Sequence, residues 1–153
     1  MQKQSERTVA VNKKAYHEYF VEETFEAGVI LVGSEVKSIR AGGVNLKDSF
    51  VYIRGTSARL LNTHVAPYEK GSHFNPDARR ERVLLLNKNE INKLRGKVEQ
   101  KGYTIIPLRM YFKDALVKIE IGLCKGKELH DKRRSLKEKD LKRDAERQIR
   151  GDY

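Results

Sequence analysis

Apolar and polar positions alternate through much of the chain, and the period of that alternation changes at a few places. Residues 16–32 begin with Tyr19, Val21 and Phe25 set among charges and end in the continuous run AGVILV. Alternation at period two followed by a solid apolar run predicts one long strand, half exposed and then buried. Gly28 inside that run predicts a bulge or a sharp bend, as at a barrel corner. Gly33-Ser34 ends the strand, with Ser34 placed to cap a short helix over residues 35–40 and Glu35 in its first turn, where a negative charge suits the helix dipole. Ala41-Gly42-Gly43 closes that helix. Short strands are expected at 50–54, 58–62 and 64–67, with Gly55-Thr56-Ser57 as a hairpin loop. Residues 68–80 (YEKGSHFNPDARR) form a long polar loop of the kind that is mobile or functional. The Leu run of 82–86 returns to the core. Asn87, with Glu90 three positions on, predicts a capping box at the start of a second helix. Ile91, Leu94 and Val98 form its buried stripe, Gly96 interrupts it and Gly102 stops it. Residues 103–112 and 116–124 read as a hairpin across Lys113-Asp114-Ala115, and Pro107 in its first arm calls for an edge or a bulge. The first eight residues are polar and read as frayed.

Five or six strands at short spacing with two or three small helices inserted point to a mainly β chain, a small closed or partly closed barrel. The oligonucleotide/oligosaccharide-binding (OB) type of barrel fits both strand count and size. Residues 1–125 make this unit.

Residues 126–153 are different. Between Lys125 and Tyr153 there are eleven Lys/Arg and seven Asp/Glu, with few aliphatic side chains. Such a segment buries too little apolar surface to offset the entropy of ordering, so in the free protein it is expected to be disordered. Leu136, Leu141, Ala145 and Ile149 still fall on one narrow helical face, so a helix is expected when an anionic groove receives it.

Composition narrows the partner. The 153 residues suffice for one domain with a core, and the net charge of +11 with a pI near 9.8 calls for a polyanion. Nucleic acid comes first, an anionic membrane surface second. No apolar run approaches the roughly 20 residues of a membrane span. The start MQKQSERTVAVNKKA has no apolar signal core, and Cys124 is the only cysteine, so a cytoplasmic home is expected. His17, His64, His73 and His130 are scattered without metal-ligand spacing, and Cys124 reads as a buried strand cysteine. Ala41-Gly42-Gly43-Val44 lacks the Lys-Ser/Thr of a phosphate-binding loop. Glu22, Glu23 and Glu26 cluster, yet nothing sets two of them around a common point. No set of active-site roles is filled, so no catalysis, metal or cofactor is expected.

Several blocks in order carry a resemblance: VNKKA, FEAGVILVGSEVKSIRAGGVNLKDSFVYI, NTHVAPY, RVLLLNKNEI, KGYTIIPLRMYF and GKELHDKR. They resemble the SsrA-binding protein family, also called small protein B, over most of the chain. The resemblance implies an OB-type barrel that binds the tRNA-like domain of transfer-messenger RNA (tmRNA), and a monomer suits such a tRNA-sized task. It also implies partners: alanyl-tmRNA with elongation factor Tu and GTP, and the small-subunit RNA of a stalled ribosome, whose empty messenger channel receives the C-terminal segment. The stalled peptide is then tagged for degradation, with the ribosome supplying the chemistry.

By the same resemblance Glu26 is an RNA-contacting acid, able to accept from base amino groups or a ribose hydroxyl. Leu85 and Asn87 match a second contact block, though core packing and helix capping explain them equally. Asn12, Lys13, Lys37, Arg40, Arg82 and Lys88 are candidate phosphate contacts. Gly126, Lys127, His130, Asp131, Lys132 and Arg133 match the family's GKK-x-x-DKR pattern for ribosome entry, with His130 a candidate to stack on a decoding-centre base. Glu128 departs from the pattern, which more often has Lys there. On the residues alone, a generic RNA-binding OB module and an RNA-processing enzyme stay open.

Overall fold

The computed structural model describes residues 6–69 and 74–127. In chain order the elements are β1 (Glu6–Val11), α1 (Lys13–Glu18), β2 (Tyr19–Val29), α2 (Gly33–Arg40), β3 (Val44–Asn45), β4 (Phe50–Arg54), β5 (Ser57–Leu61), β6 (His64–Val65), β7 (Arg82–Leu85), α3 (Lys88–Val98), β8 (Tyr103–Lys113) and β9 (Leu116–Gly126). Strands β8, β4, β5, β7, β2 and β9 are hydrogen-bonded in that order, and β9 returns to β8. All these pairings are antiparallel, so the sheet closes on itself as a barrel. Strand β1 is added alongside β8, and β3 with β6 makes a separate two-stranded ribbon.

The interior follows from alternation. Phe25 and Ala27 of β2, Met110 and Phe112 of β8, and Val117, Ile119 and Ile121 of β9 point inward and are buried. They meet Leu60, Leu84, Ile105 and Leu123, and α3 adds Ile91 and Leu94 while α2 adds Ile39. A fully buried side chain of this size contributes about 1.5–3 kcal/mol, and the closed barrel lets every strand bury one face.

Several expectations need correction. Residues 6–8 are not frayed but begin β1, because the unpaired half of β8 offers residues 6–11 a ladder (Arg7 opposite Phe112, Val11 opposite Arg109). The long strand does not start at 16. Asn12 caps α1 by accepting from the Ala15 N–H at 3.2 Å, and the chain turns extended only at Tyr19. Gly96 leaves α3 unbroken to Val98. Ser34 does not cap α2. Val32 holds the cap position, where its N–H donates to the Glu35 carboxylate at 3.0 Å, while the buried Ser34 hydroxyl donates to the Phe74 carbonyl. The strand count of five or six was low; β1 and the two-residue β3, which carry no strong hydrophobic signal, were not expected.

Other features are as expected. Asn87 and Glu90 form the capping box of α3. Pro107 stands beside a bulge between Pro107 and Arg109, which bends β8 around the barrel. Cys124 is fully buried, and burial pushes its thiol up to about 11. Hairpin β8–β9 turns at Asp114, whose φ of 55° lies in the left-handed region that Asp tolerates. Gly43 has a steric reason: a Cβ there would meet the Ser38 Oγ at 2.5 Å.

Candidate nucleic-acid interface

Alternation that sends Phe25 and Ala27 inward sends Glu26 and Gly28 outward. Register then assembles an outer face across three strands, β2, β9 and β8. Glu26 lies opposite Glu120, which lies opposite Arg109; Gly28 lies opposite Lys118, which lies opposite Tyr111. The Tyr111 hydroxyl reaches across and donates a short hydrogen bond to the Glu26 carboxylate, while Lys113 Nζ stands 3.3 and 3.4 Å from its two oxygens. The Tyr111 ring is covered by the Arg109 guanidinium, 4.1 Å from its centroid. Arg109 is fixed in turn by Glu120 at 2.8 Å and by the Thr8 hydroxyl at 3.2 Å.

The consequence is an anion that stays an anion. The Tyr111 bond, Lys113 and Lys118 hold the Glu26 carboxyl below its usual range, against a smaller effect of burial. Burial first, and then Glu26, push the Tyr111 hydroxyl well above its ordinary value, so it remains a donor. Glu26 keeps an exposed side and unused lone pairs, which a base amino group or a 2′-hydroxyl can meet.

Beside it lies an apolar surface. Leu84 faces the core, so Leu85 faces outward, 55% exposed, and lies against Gly28. Leu116, 62% exposed, approaches from the β8–β9 turn, and Leu31, Val36 and Lys118 complete a shallow groove. Leu85 is therefore a surface residue, and core packing does not explain it. Two residues on, Asn87 spends its amide oxygen on the Glu90 N–H at 2.9 Å and is exposed, which leaves its amide hydrogens outward. Lys88 is exposed next to it.

Lys37 and Arg40 occupy the outer side of α2, whose inner side buries Ser34, Glu35, Ser38 and Ile39. Lys37 lies 5.9 Å from the Tyr68 ring, and Arg40 lies 4.9 Å from that of Phe112. Lys13 is exposed and grouped with Lys14 and Lys47 around a separate hollow lined by Val11 and Asn45.

Two expected contacts are corrected. Asn12 is buried, with its amide donating to the Pro107 carbonyl at 3.0 Å and the Leu46 carbonyl at 3.4 Å, so it ties α1 to the barrel. Arg82 is fully buried. Its guanidinium meets Glu35 at 2.7 and 3.0 Å and the carbonyls of Thr63, Ala78 and Arg80 at 2.9–3.1 Å. Neither side chain can reach a phosphate. Gly126 is not the start of a separate segment. It pairs with Tyr19, and Lys127 donates its N–H to the Glu18 carbonyl at 2.9 Å. His130, Asp131, Lys132 and Arg133 lie outside the described residues. Tyr111, Lys113 and Leu116 join the site unannounced by the sequence, because only the register of β8 and β9 shows that they face Glu26.

No group of side chains among the described residues is arranged to hold a metal, and no described helix is long and apolar enough to cross a membrane.

A basic barrel with one fixed carboxylate beside an apolar groove can now be set against known proteins. The family model of SmpB protein matches residues 9–151. This chain belongs to the SmpB family. It is 52% identical to the SsrA-binding protein of Thermoanaerobacter pseudethanolicus over 98% of this chain and 96% of the relative. It is 54% identical to that of Shouchella clausii over 94% and 92%. A solved SmpB chain, from work on tmRNA-SmpB at the centre of the bacterial ribosome, superposes with a TM-score of 0.69 at 47% identity, covering 86% of this chain and 92% of that one. The SmpB family is one of RNA-binding adaptors.

Proposed function

We propose that this chain is a tmRNA-binding adaptor of trans-translation. The outer face around Glu26, Leu85 and Asn87 receives the tRNA-like domain of tmRNA, and residues 128–153 act at the stalled ribosome. The observation that carries the reading is the ionised Glu26, braced by Tyr111 and Lys113 at the rim of an exposed apolar groove on a chain of net charge +11. A purely electrostatic RNA binder gains nothing from a negative charge held there. A binder that selects a folded RNA does, because a carboxylate rejects phosphate and accepts from base and ribose donors. Phosphate contacts from Lys37, Arg40, Lys88 and Lys13 set orientation. The charged tmRNA arrives with elongation factor Tu and GTP, and the ribosome performs the peptide transfer, so the chain needs no catalytic group of its own.

The test is a titration with two RNAs over a range of salt: the tRNA-like domain of tmRNA and a plain duplex of equal length. Counterion release weakens both as salt rises. A preference for the tRNA-like domain that persists at high salt is the expected result, and coincident curves at every salt would refute it. A chain ending at Lys127 should keep this preference and lose peptide tagging on stalled ribosomes. The cut is placed there because Gly126 and Lys127 are bonded to the barrel.

A further inference from the structure

The hollows on this barrel differ in charge. Around Val11 and Asn45 the charged side chains are all lysines, and the Leu85 groove carries Lys118. A third hollow, of about 300 Å³, lies between α1 and the starts of β4 and β8. Buried Ala15 and Ile106 line its base, and Tyr19 and the exposed Phe50 give it two rings. Its charged lining is Glu18, Asp48 and Lys14. Two carboxylates against one ammonium leave it negative on a chain of net charge +11.

These charges are not sealed. Lys14 Nζ meets Asp48 at 3.3 Å, with both side chains about half exposed or more, and such a pair is easily exchanged. The Glu18 carboxylate has no ion-pair partner among the described residues. It is felt at the neighbouring ring, since burial first and then Glu18 push the Tyr19 hydroxyl up. Rings beside carboxylates suit a guanidinium, whose plane stacks and whose fork meets the acid. The same lining repels a phosphate.

The chain itself supplies such a group nearby. Lys127 is tied to the end of α1 twice: its N–H donates to the Glu18 carbonyl at 2.9 Å and its Nζ to the Tyr16 carbonyl at 3.3 Å. The backbone therefore leaves the barrel at the rim of the hollow. Five to seven residues on stand three consecutive cations, Lys132, Arg133 and Arg134. Extended at about 3.3 Å per residue, that link spans about 17–23 Å, more than the roughly 10–12 Å width of a helix. A link so short also holds the run at millimolar local concentration, so a contact too weak to retain a separate peptide is populated.

We propose that the hollow between α1, β4 and β8 seats a guanidinium of this chain's own run Lys132-Arg133-Arg134, parking the start of the C-terminal segment against the barrel in the free protein. Lys132 and Arg133 are among the residues expected at the ribosome, so ribosomal RNA and the hollow compete for them. The contact itself does not depend on the RNA reading.

A nitroxide on Ser135→Cys of the full chain tests it without RNA. Cys124 is fully buried, so only the new thiol takes the label. Amide relaxation, read by NMR, is expected to be enhanced at Phe50 and Thr104 and not at Leu116, which lies at the far end of β9. Tethering alone also brings the label near Lys127, so charge variants decide. Glu18→Gln with Asp48→Asn is expected to lower the enhancement at Phe50 and Thr104 about threefold. Asn tolerates the φ of 62° at position 48, so the turn survives. Arg133→Gln with Arg134→Gln should lower it equally, and Lys14→Gln, which removes the competing cation, should raise it. Raising salt from about 0.1 M to about 1 M shortens screening from about 10 Å to about 3 Å and should lower it in the parent chain but not in the acid variant. An enhancement indifferent to the acid and arginine substitutions overturns the seat. An enhancement that passes to an isotope-labelled, nitroxide-free chain mixed with the labelled one makes the occupant a second copy, and overturns the parking. Either failure leaves the adaptor reading standing, and a lost RNA preference in the titration above leaves the seat standing.

Discussion

Two carboxylates, Glu35 and Glu26, carry the same chemistry to opposite ends. Glu35 is buried at the start of α2 and takes five donors: the Val32 N–H, two nitrogens of Arg80 and two of Arg82, at 2.7–3.0 Å. Burial pushes its pKa up, but the bonds from Arg80, Val32 and Arg82 outweigh it and hold the group below its ordinary 4.5. Nothing is left over for a ligand. Glu26 takes the Tyr111 hydroxyl and Lys113 and keeps one side open. Saturation makes an acid a fastener between α2, β7 and the segment before it. Partial saturation makes an acid a fixed, aimed acceptor.

The largest effect should therefore come from the sealed pair. Leaving one member of a buried ion pair without its partner costs about 3–5 kcal/mol. Glu35→Gln or Arg82→Met should lower the thermal midpoint by roughly 10–15 °C in a domain of this size. The RNA preference of the molecules still folded should not change. Because the folded pKa of Glu35 is depressed, its contribution is present above the unfolded value near 4.5 and is lost as pH falls through the lower folded value. Acid melting curves of wild type and Glu35→Gln should thus converge at low pH. Curves that stay parallel would show that Glu35 is not the acid-sensitive fastener.

Glu26→Gln should reverse the pattern. The amide can still accept from Tyr111, and an exposed pair with Lys113 is worth at most about 1 kcal/mol, so melting should barely move. Preference for the tRNA-like domain over a duplex should fall about tenfold, or about 1.4 kcal/mol. Equal loss on both RNAs would mean that Glu26 is only a surface charge.

The two acids differ in legibility for the same reason. Glu35 could be placed from its neighbours in sequence, at the first turn of a short helix, and was. Its partners Arg80 and Arg82 lie 45 and 47 residues away, and only the β7 register brings them in. Arg82 was a candidate phosphate contact through the family resemblance alone; its burial as an ion pair is invisible to alternation. Asn12 came from the same resemblance, and its helix cap and two carbonyl partners appear only in the fold. Strands with strong cores, β2, β8 and β9, were legible. The edge strand β1 was not, because its pairing with β8 supplies what its own side chains do not. Leu85 shows the converse: an LLL run is read as core, yet period two must send one Leu outward.

Asn87 combines both roles in one side chain and tests them at smaller scale. Its oxygen caps α3, and its amide hydrogens face out. Asn87→Ala should cost about 1 kcal/mol of stability through the lost cap. Asn87→Asp keeps the capping oxygen, so it should restore melting while still weakening binding of the tRNA-like domain several-fold. If Asp restores both, Asn87 is a cap and nothing more.

The smallest effect belongs to Tyr111, which touches Glu26 rather than RNA. Tyr111→Phe keeps the ring beneath Arg109 and removes only the donor. At neutral pH Glu26 is ionised with or without it, so any loss, expected to be about threefold for the tRNA-like domain, reflects a carboxylate no longer held in place. The charge consequence appears only in acid. Without the Tyr111 bond, the Glu26 pKa rises toward 4.5, with Lys113 and Lys118 still opposing. The variant therefore protonates first as pH falls, and its binding should fail at a higher pH than that of wild type. The carboxyl carbon shift of Glu26, followed by NMR, reads the same displacement without RNA. In a Glu26→Gln background the Phe substitution should change RNA preference no further. Additive losses there, or identical Glu26 titrations in wild type and Tyr111→Phe, would make Tyr111 a packing residue and leave Glu26 aimed by Lys113 alone.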